Sequence, residues 1–159
     1  MKVRIISVGK IKEKYLMQGI NEYIKRLSPY TKVEMVEVAD EKIPENASLS
    51  EEEMVKEKEG NKLLEKIKED EYVILLDLHG KEIDSVELSK LIETTMISGK
   101  STIDFVIGGS LGLSKPLINR ANYRLCFSKL TFTHQMIRLF LLEQIYRSYK
   151  IMNNQTYHK

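Results

Sequence analysis

The apolar residues of this chain follow two spacings, one typical of strands and one typical of helices. Short apolar runs predict five strands, at Val3–Val8, Val33–Val38, Tyr72–Leu76, Ile103–Ile107 and Tyr123–Phe127. The third run is apolar without interruption, which is typical of a central strand covered on both faces. Between the runs, and after the last one, apolar residues recur three and four positions apart and predict helices.

The first two helices differ in how much of their surface is apolar. The first covers Ile11–Leu27 and has apolar residues at helical spacing. For the second, Ser50 and Glu53 have the Ser-x-x-Glu spacing of a capping box and predict where it begins. We expect most of this helix to face water, and Gly60 argues against its continuity. Its thin apolar stripe consists of Met54, Leu63, Leu64 and Ile67.

Further helical segments complete the pattern. They are predicted at Val86–Met96 with Gly99 as a C-cap, near Ser114–Pro116, and at His134–Met152 with Thr133 as an N-cap. Strands and helices that alternate along a chain predict an α/β fold with an open, mostly parallel sheet and helices on both faces. Because the sequence has no internal repeat or linker, residues 1–159 are predicted to form a single domain.

Three unusual loops follow predicted strands, at Leu76–Gly80, Gly108–Gly112 and Phe127–Phe132. In a parallel sheet ligands bind beyond the carboxyl ends of the strands, so these loops predict a ligand cleft. Glycine lets backbone amides approach a ligand closely. Gly108–Gly112 fits a tight strand-to-helix turn equally well, and it lacks the spacing of a P-loop or of a dinucleotide fingerprint. The hydroxyls around the third loop are also consistent with helix capping.

The apolar band of the last predicted helix is wider than one buried stripe requires. We therefore favour a homodimer, in which this helix packs on the sheet and on a second copy. A helix covered entirely within one chain is the alternative. Arg138 and Arg147 interrupt the band, and they are either exposed to solvent or placed to contact phosphates or bases. His134 alone is more typical of a packed or surface residue than of a catalyst.

Charge is balanced over the whole chain but not along it. The 159 residues include 25 Lys or Arg and 23 Asp or Glu, yet the segment from Leu111 onward has eight basic residues and one acid, Glu143. A one-sided basic surface favours a polyanionic partner. The sequence has no apolar stretch of membrane-spanning length, no secretory signal, a single Cys126 and no local zinc motif. We expect a cytoplasmic protein with no disulfide, metal or membrane segment.

The last residues include Tyr157 and His158. Such a segment is normally a frayed terminus. These two rings are nonetheless suited to stacking on a base and to proton transfer. The pattern alone leaves both interpretations open.

Four segments and the end of the chain resemble a known family. They are Leu75–Gly80, Phe105–Gly112, Ser128–Arg138, Glu143–Ser148 and the terminal Tyr157–His158. In order, spacing and total length they are similar to the RlmH family, which consists of small single-domain SPOUT, or trefoil-knot, methyltransferases. The resemblance covers the full length of the sequence.

This resemblance implies S-adenosyl-L-methionine as cofactor and methylation of N3 of a pseudouridine in large-subunit (23S) ribosomal RNA. It also implies a homodimer and a C-terminal trefoil knot that forms the cofactor pocket. Knots are rare, so periodicity alone does not predict one. The positions that correspond to the cofactor site are Leu76, Gly108, Phe127, Ser128, Lys129, Leu130, Thr131 and Phe132.

For catalysis we assign roles to Arg147, Tyr157 and His158. Arg147 would stabilise the negative charge on the carbonyl oxygens beside N3, and His158, or Tyr157 with it, would accept the proton. Because the last helix is predicted at an interface, these groups would complete the pocket of the other subunit. One alternative is a non-catalytic RNA-binding or ribosome-assembly protein that has no affinity for the cofactor. A second alternative, a small-molecule enzyme with a flavodoxin-like crevice, leaves the basic C-terminal third without a role.

Overall fold

One parallel sheet organises the chain, and the computed structural model describes residues 1–159. The strands are β1 (Lys2–Val8), β2 (Lys32–Val38), β3 (Tyr72–Glu82), β4 (Thr102–Ile107) and β5 (Tyr123–Cys126). Their order in the sheet is β2-β1-β4-β3-β5, and every adjacent pair is parallel. The predicted α/β fold and its strands are confirmed.

Helices cover both faces of this sheet. They are α1 (Lys14–Leu27), α2 (Leu49–Glu65), α3 (Ser85–Ile97), α4 (Lys115–Arg120) and α5 (His134–Met152). Helix α5 packs between α1 and α3 on one face, whereas α2 and α4 contact each other on the opposite face. Every predicted helix is present, and the bounds of α5 are those predicted.

The strands are apolar on both faces because each face has its own core. Ile5 packs with residues of α1, α3 and α5, whereas the adjacent Ile6 packs with residues of α2 and α4. Successive side chains of a strand point to opposite faces, so neighbouring apolar residues enter different cores. Fully burying one such side chain contributes roughly 1.5 to 3 kcal/mol.

The N-cap of helix α2 lies two residues before the predicted one. Ser48 Oγ accepts a hydrogen bond from the backbone N–H of Glu51 at 3.1 Å, and Ser48 N–H donates to Glu51 Oε1 at 3.2 Å. The capping box is therefore Ser48/Glu51, and the prediction of Ser50/Glu53 was wrong. The sequence contains two overlapping Ser-x-x-Glu spacings, and spacing alone does not choose between them.

The glycine in α2 reflects tight packing and does not mark a break. The helix continues through Gly60, where a Cβ atom would lie 2.2 Å from Ser114 Oγ, the N-cap of α4. The predicted apolar stripe was partly wrong, because Met54 is exposed. The buried face of α2 consists of Val55, Glu59, Gly60 and Leu63.

Strand β3 extends beyond the predicted Leu76. Its register against β5 shifts between Leu76 and Lys81, so that Asp77–Gly80 leaves the ladder as a bulge. At Gly80 a Cβ atom would lie 2.5 Å from the carbonyl oxygen of Arg124, so only glycine fits at this crossing. The bulge places the predicted first loop at the carboxyl edge of the sheet.

A buried charge cluster lies away from that edge. Arg4 of β1 and Asp104 of β4 are adjacent in the sheet, and Arg4 Nη1 is 3.3 Å from Asp104 Oδ1 and 3.0 Å from Glu71 Oε1. Asp104 is fully buried, and its Oδ2 has no hydrogen-bond partner. Burial raises the pKa of Asp104 to about 7; Arg4 opposes the shift and Glu71 adds to it.

We predict that Asp104→Asn changes the pH dependence of stability. Between the ordinary pKa of 3.8 and about 7, the folded protein binds more protons than the unfolded chain. The free energy of unfolding of the parent protein should therefore fall as pH rises through this window. The asparagine of the variant does not titrate, so the free energy of unfolding of the variant should not fall in this way. The stability of the variant minus that of the parent should therefore increase with pH. Urea unfolding across the window measures the difference.

The matched control is Asp70→Asn, the same chemical change at an exposed aspartate. Its difference from the parent protein should stay flat over the same pH range. A flat difference for Asp104→Asn as well would show that the buried carboxyl does not titrate in this window.

Candidate active site

A cleft of about 450 Å³ opens at the carboxyl edge of the sheet. The three predicted loops, Leu76–Gly80, Gly108–Gly112 and Phe127–Phe132, supply most of its wall. Its volume lies in the range of small-molecule sites, roughly 300 to 1,000 Å³. The loops meet here because β3, β4 and β5 are parallel and end at the same edge. Further lining residues come from helices or adjoin the loops: Lys56, Leu113, Ile118, His134 and Ile137.

The structure brings together all but one of the residues predicted to bind the cofactor. The exception is Lys129, which is 81% exposed and has its Nζ 3.4 Å from Glu82 Oε1. Binding of a cofactor at these positions remains a prediction. The seven predicted cofactor residues that do line the cleft are Leu76, Gly108, Phe127, Ser128, Leu130, Thr131 and Phe132.

The glycine loop Gly108–Gly112 is both a tight turn and a wall of the cleft. The N–H of Gly112 donates to the carbonyl of Gly109 at 3.1 Å, and Gly112 has a φ of +106°. A Cβ atom at Gly108 would lie 2.5 Å from Leu113 Cδ2. Backbone therefore forms this wall, and the two interpretations left open by the sequence both hold in part.

The third loop is organised by its own hydroxyl groups. Ser128 Oγ accepts a hydrogen bond from the N–H of Leu130 at 3.0 Å. Thr133 Oγ1 accepts from the N–H of Met136 at 3.2 Å, which confirms Thr133 as the N-cap of α5. Capping therefore explains Thr133, while Ser128 shapes the turn that faces the cleft.

His134 lies in the cleft wall at the first turn of α5. Its burial lowers the pKa of the imidazole, and the nearby charge of Arg138 lowers it further. The ring is therefore neutral near pH 7 and adds no positive charge to the cleft. In the sequence, His134 has no other catalytic or metal-ligating residue at a motif spacing, so its position in the cleft could not be predicted.

A buried carboxylate holds the bulge of β3 in place. Arg124 Nε and Nη2 both lie 2.7 Å from Asp77 Oδ2, and Asp77 Oδ1 accepts a hydrogen bond from the N–H of His79 at 2.9 Å. These contacts join the bulge to β5 and neutralise Asp77. The sequence signal for this role was an acid directly after a buried strand.

Helix α2 forms the outer support of the glycine loop. Glu59 is buried, its Oε2 accepts a hydrogen bond from the N–H of Glu41 at 3.1 Å, and burial raises its pKa. A Cβ atom at Gly109 would lie 2.3 Å from Glu59 Oε1. Lys56, one turn earlier, lines the cleft itself. Sequence reasoning missed both residues because this helix was expected to face water.

Arg138 has a structural position, so neither alternative that the sequence left open for it, exposure to solvent or contact with phosphates or bases, holds. The side chain is 1% exposed. It donates hydrogen bonds to Glu37 Oε2 at 2.9 Å, to the carbonyl of Val8 at 2.7 Å and to the carbonyl of His134 at 3.2 Å. These bonds tie the start of α5 to the ends of β1 and β2. Arg138 and Arg147 both interrupt the apolar band of α5, so the sequence pattern could not show that only Arg138 is fully buried.

The predicted catalytic residues Arg147, Tyr157 and His158 lie together. Arg147 Nη2 is 2.5 Å from Glu143 Oε1, and its Nη1 is 3.2 Å from His158 Nδ1. The guanidinium carbon lies 4.8 Å from the centre of the Tyr157 ring. Tyr157 Oη donates to Glu143 Oε1 at 2.9 Å. The end of the chain is therefore packed against α5 and is not frayed.

The protonation states within this cluster follow from its contacts. Burial raises the pKa of Tyr157, and hydrogen bonds with Tyr23 and Glu143 raise it further, so the phenol keeps its proton at neutral pH. Arginine only donates, so His158 Nδ1 accepts from Arg147 and the neutral ring carries its proton on Nε2.

The cleft and this cluster lie at opposite ends of α5. His134 and Arg147 are thirteen residues apart in the helix. At about 1.5 Å per residue the separation is roughly 20 Å. The structure thus forms two groups of predicted site residues, and a single chain does not bring them to one place.

Much of the wide apolar band of α5 is covered within the chain. Its flanks pack on α1 and α3, as at Gly19, where a Cβ atom would lie 3.0 Å from Leu139 Cδ1. Phe140 remains 37% exposed on the outer side. The alternative of a helix covered within one chain therefore accounts for most of the band, and the homodimer remains a prediction.

The parallel sheet, the glycine loop and the cleft at its carboxyl edge define a single-domain α/β protein with a cleft of the size of small-molecule sites. A family model described as "Predicted SPOUT methyltransferase" matches residues 1–158. The chain belongs to this family of methyltransferases, which confirms the resemblance and the prediction of an enzyme.

Two curated relatives match over their entire length. "Ribosomal RNA large subunit methyltransferase H" of Clostridium botulinum (strain Hall) is 59% identical over 159 residues, covering 100% of both chains. "Ribosomal RNA large subunit methyltransferase H 1" of Clostridium perfringens (strain SM101) is 58% identical with the same coverage. Among solved structures, the tRNA (m1G37) methyltransferase from Aquifex aeolicus has a similar fold. Its TM-score is 0.50 at 11% identity, covering 92% of this chain and 70% of that one.

Two further properties of the structure concern a membrane-spanning helix and a metal site. None of its helices has the length and apolar character needed to cross a membrane. The structure has no cluster of three or more His, Cys, Asp or Glu side chains arranged to hold a metal ion.

We predict that Arg138 and Arg147 differ in their effect on stability. Arg138→Met should lower the free energy of unfolding by about 2 to 3 kcal/mol, because it removes charge-assisted hydrogen bonds inside the protein. Arg147→Met should lower it by less than about 1 kcal/mol, because its ion pair with Glu143 is partly exposed. Urea unfolding of both variants measures the contrast. Equal losses would contradict the structural role of Arg138.

Proposed function

We propose that this protein transfers a methyl group from S-adenosyl-L-methionine to N3 of a pseudouridine in large-subunit ribosomal RNA. The main support is the pair of full-length relatives at 58% and 59% identity, whose names specify methylation of that RNA. The basic C-terminal third suits a polyanionic substrate. Because the proposed substrate is ribosomal RNA, we propose that the protein acts in the cytoplasm.

The cleft has the composition that this cofactor requires. Glycine backbone forms one wall, and apolar side chains such as Leu76 and Ile107 form another. A Cβ atom at Gly108 or Gly109 would have to displace the side chain of Leu113 or Glu59. Leu76, Gly108 and the turn Phe127–Phe132 would hold the cofactor. When bound, the cofactor supplies an electrophilic methyl group on a sulfonium.

Arg147 is the residue best suited to the charge that develops on the substrate. N3 of the uracil ring carries a proton and must lose it before it accepts a methyl group, which leaves negative charge on the flanking carbonyl oxygens. Arg147 Nε is buried and has no hydrogen-bond partner. Because this atom is covered, it reaches a carbonyl oxygen only when the guanidinium turns toward the substrate; donors directed at developing charge contribute strongly to catalysis.

His158 is the better candidate for the proton acceptor. Tyr157 keeps its proton at neutral pH and donates to Glu143, so its role is to orient the cluster. His158 Nδ1 becomes available when Arg147 turns toward the substrate. We infer direct transfer without a covalent enzyme intermediate, in which these groups align the acceptor and exclude water.

A complete site requires a second copy of the chain. The outer ridge of α5 includes Phe140, Glu143 and Arg147, and it runs from the cleft toward the tail. A twofold dimer with antiparallel α5 helices would place the tail of one copy beside the cleft of the other. This arrangement overcomes the separation of roughly 20 Å within one chain. The trefoil knot implied by the family belongs to the same proposal.

Transfer of labelled methyl from S-adenosyl-L-methionine to ribosomes tests the proposed reaction. We expect label in the large-subunit RNA of ribosomes from a strain that lacks this protein. Ribosomes without the relevant pseudouridines should take up none. Cofactor binding without label in any ribosomal fraction would exclude this substrate. The absence of both would favour a non-catalytic assembly protein.

We predict that Arg147→Ala lowers turnover by at least about a hundredfold while cofactor affinity stays within about twofold, because Arg147 is not among the residues that line the cleft. Single-turnover methyl transfer and calorimetric titration with S-adenosylhomocysteine measure the two effects. Full turnover by this variant would remove Arg147 from the mechanism.

Mixing variants tests the two-copy site. Arg147→Ala lacks the tail function, and Gly108→Val should block the cleft, since a Cβ atom there would lie 2.5 Å from Leu113 Cδ2. If each site combines two copies, a refolded equimolar mixture should regain about one quarter of the parent activity, since half the dimers have one intact site. A mixture as inactive as its components would contradict the composite site.

A further inference from the structure

Lys56 is the only lysine or arginine among the residues that line the cleft. It lies on the third turn of α2, on the side that supports the glycine loop. Its Cδ lies 4.0 Å from where a Cβ atom of Gly112 would be. The lysine stem therefore lies near the loop, and the side chain forms part of the cleft wall.

The visible partner of Lys56 does not explain this position. Lys56 Nζ is 2.6 Å from Glu53 Oε1 on the same helix. The Glu53 side chain is 62% exposed and the Lys56 side chain 22%. An ion pair with such an exposed carboxylate contributes little and exchanges readily with another anion. Lys56 can therefore leave Glu53 for a ligand in the cleft.

We propose that Lys56 binds the α-carboxylate of the methyl donor and so selects ligands that carry the intact amino-acid moiety. This inference rests on the proposed function, since it assumes that the cleft holds that cofactor. The carboxylate is the cofactor's one anionic group, and Lys56 is the cleft's one permanent cation. An ammonium that loses part of its hydration in a cleft favours such a partner.

The other charges around the cleft support this pairing. Asp77 is neutralised by Arg124, and His134 is neutral because of its burial. Glu59 is turned toward the loop backbone, and burial favours its protonated form. Asp77 is the one acid among the lining residues and is already paired, and Lys56 is their one permanent cation, so an anionic end of a ligand is directed to Lys56.

A phosphate of the RNA is the competing partner for this lysine. Most of the Lys56 side chain is covered by the protein, and it lies beside the loop that forms the inner wall. A phosphate of a folded RNA approaches from outside and favours long, exposed side chains. The burial of Lys56 therefore favours the small ligand, and the RNA is the alternative that the experiment must separate.

Calorimetric titration with two probes tests the proposal in the full-length protein. S-adenosylhomocysteine carries the amino-acid moiety, and 5′-methylthioadenosine lacks it. Lys56→Met should weaken binding of S-adenosylhomocysteine by about ten- to a hundredfold, the range expected for a charge-assisted hydrogen bond. Binding of 5′-methylthioadenosine should not change. Lys56→Arg, which keeps the charge, should retain most of the preference.

Lys58→Met is the matched control, because Lys58 is exposed on the same helix. It should affect neither probe. Unchanged binding of S-adenosylhomocysteine to Lys56→Met would overturn the proposal, and a simultaneous loss of RNA affinity would assign the lysine to phosphate. Equal losses for both probes would overturn it as well, since they indicate a damaged pocket. If the parent protein bound neither probe, the proposed function itself would fail.

Discussion

Parallel pairing of all five strands is the constraint on which the rest of the structure depends. It brings the carboxyl ends of β3, β4 and β5 to one edge, so three loops distant in sequence form a single cleft. Each loop is then stabilised locally: Asp77 holds the bulge and Ser128 shapes the turn through hydrogen bonds, and Glu59 packs against the glycine loop. Because these contacts lie within the protein, the cleft is formed before anything binds.

Helix α5 links this cleft to the second group of predicted site residues, Arg147, Tyr157 and His158. Its first turn contributes His134 to the cleft, and its last turns hold the tail through Glu143 and Arg147. Arg138 fixes the helix to the ends of β1 and β2 by hydrogen bonds inside the protein. The distance between the two regions is therefore set by a rigid element. A reaction that needs both regions must involve a second chain, which is why the exposed ridge around Phe140 matters.

The extent to which the sequence predicted this structure depends on how local each feature is. Strand and helix positions follow from apolar spacing. The cap of α5 was also predictable, because Thr133 directly precedes the apolar residues of that helix. The start of α2 could not be predicted from the sequence, because Ser48 and Ser50 each begin a Ser-x-x-Glu spacing. Lys56 and Arg138 did not follow either, because burial of a charged side chain depends on which distant backbone lies against it. Packing of Tyr157 on α5 is a tertiary contact of the same kind.

The arrangement of the tail has a consequence for the order of events on the proposed mechanism. Arg147 is shared between Glu143 and His158, while its Nε has no partner. A carbonyl oxygen of the substrate would satisfy that orphan donor and draw the guanidinium away from His158. The same movement would free Nδ1 of His158 to accept the proton from N3. On the proposed mechanism, the substrate itself would therefore release the proton acceptor at the moment the acceptor is needed.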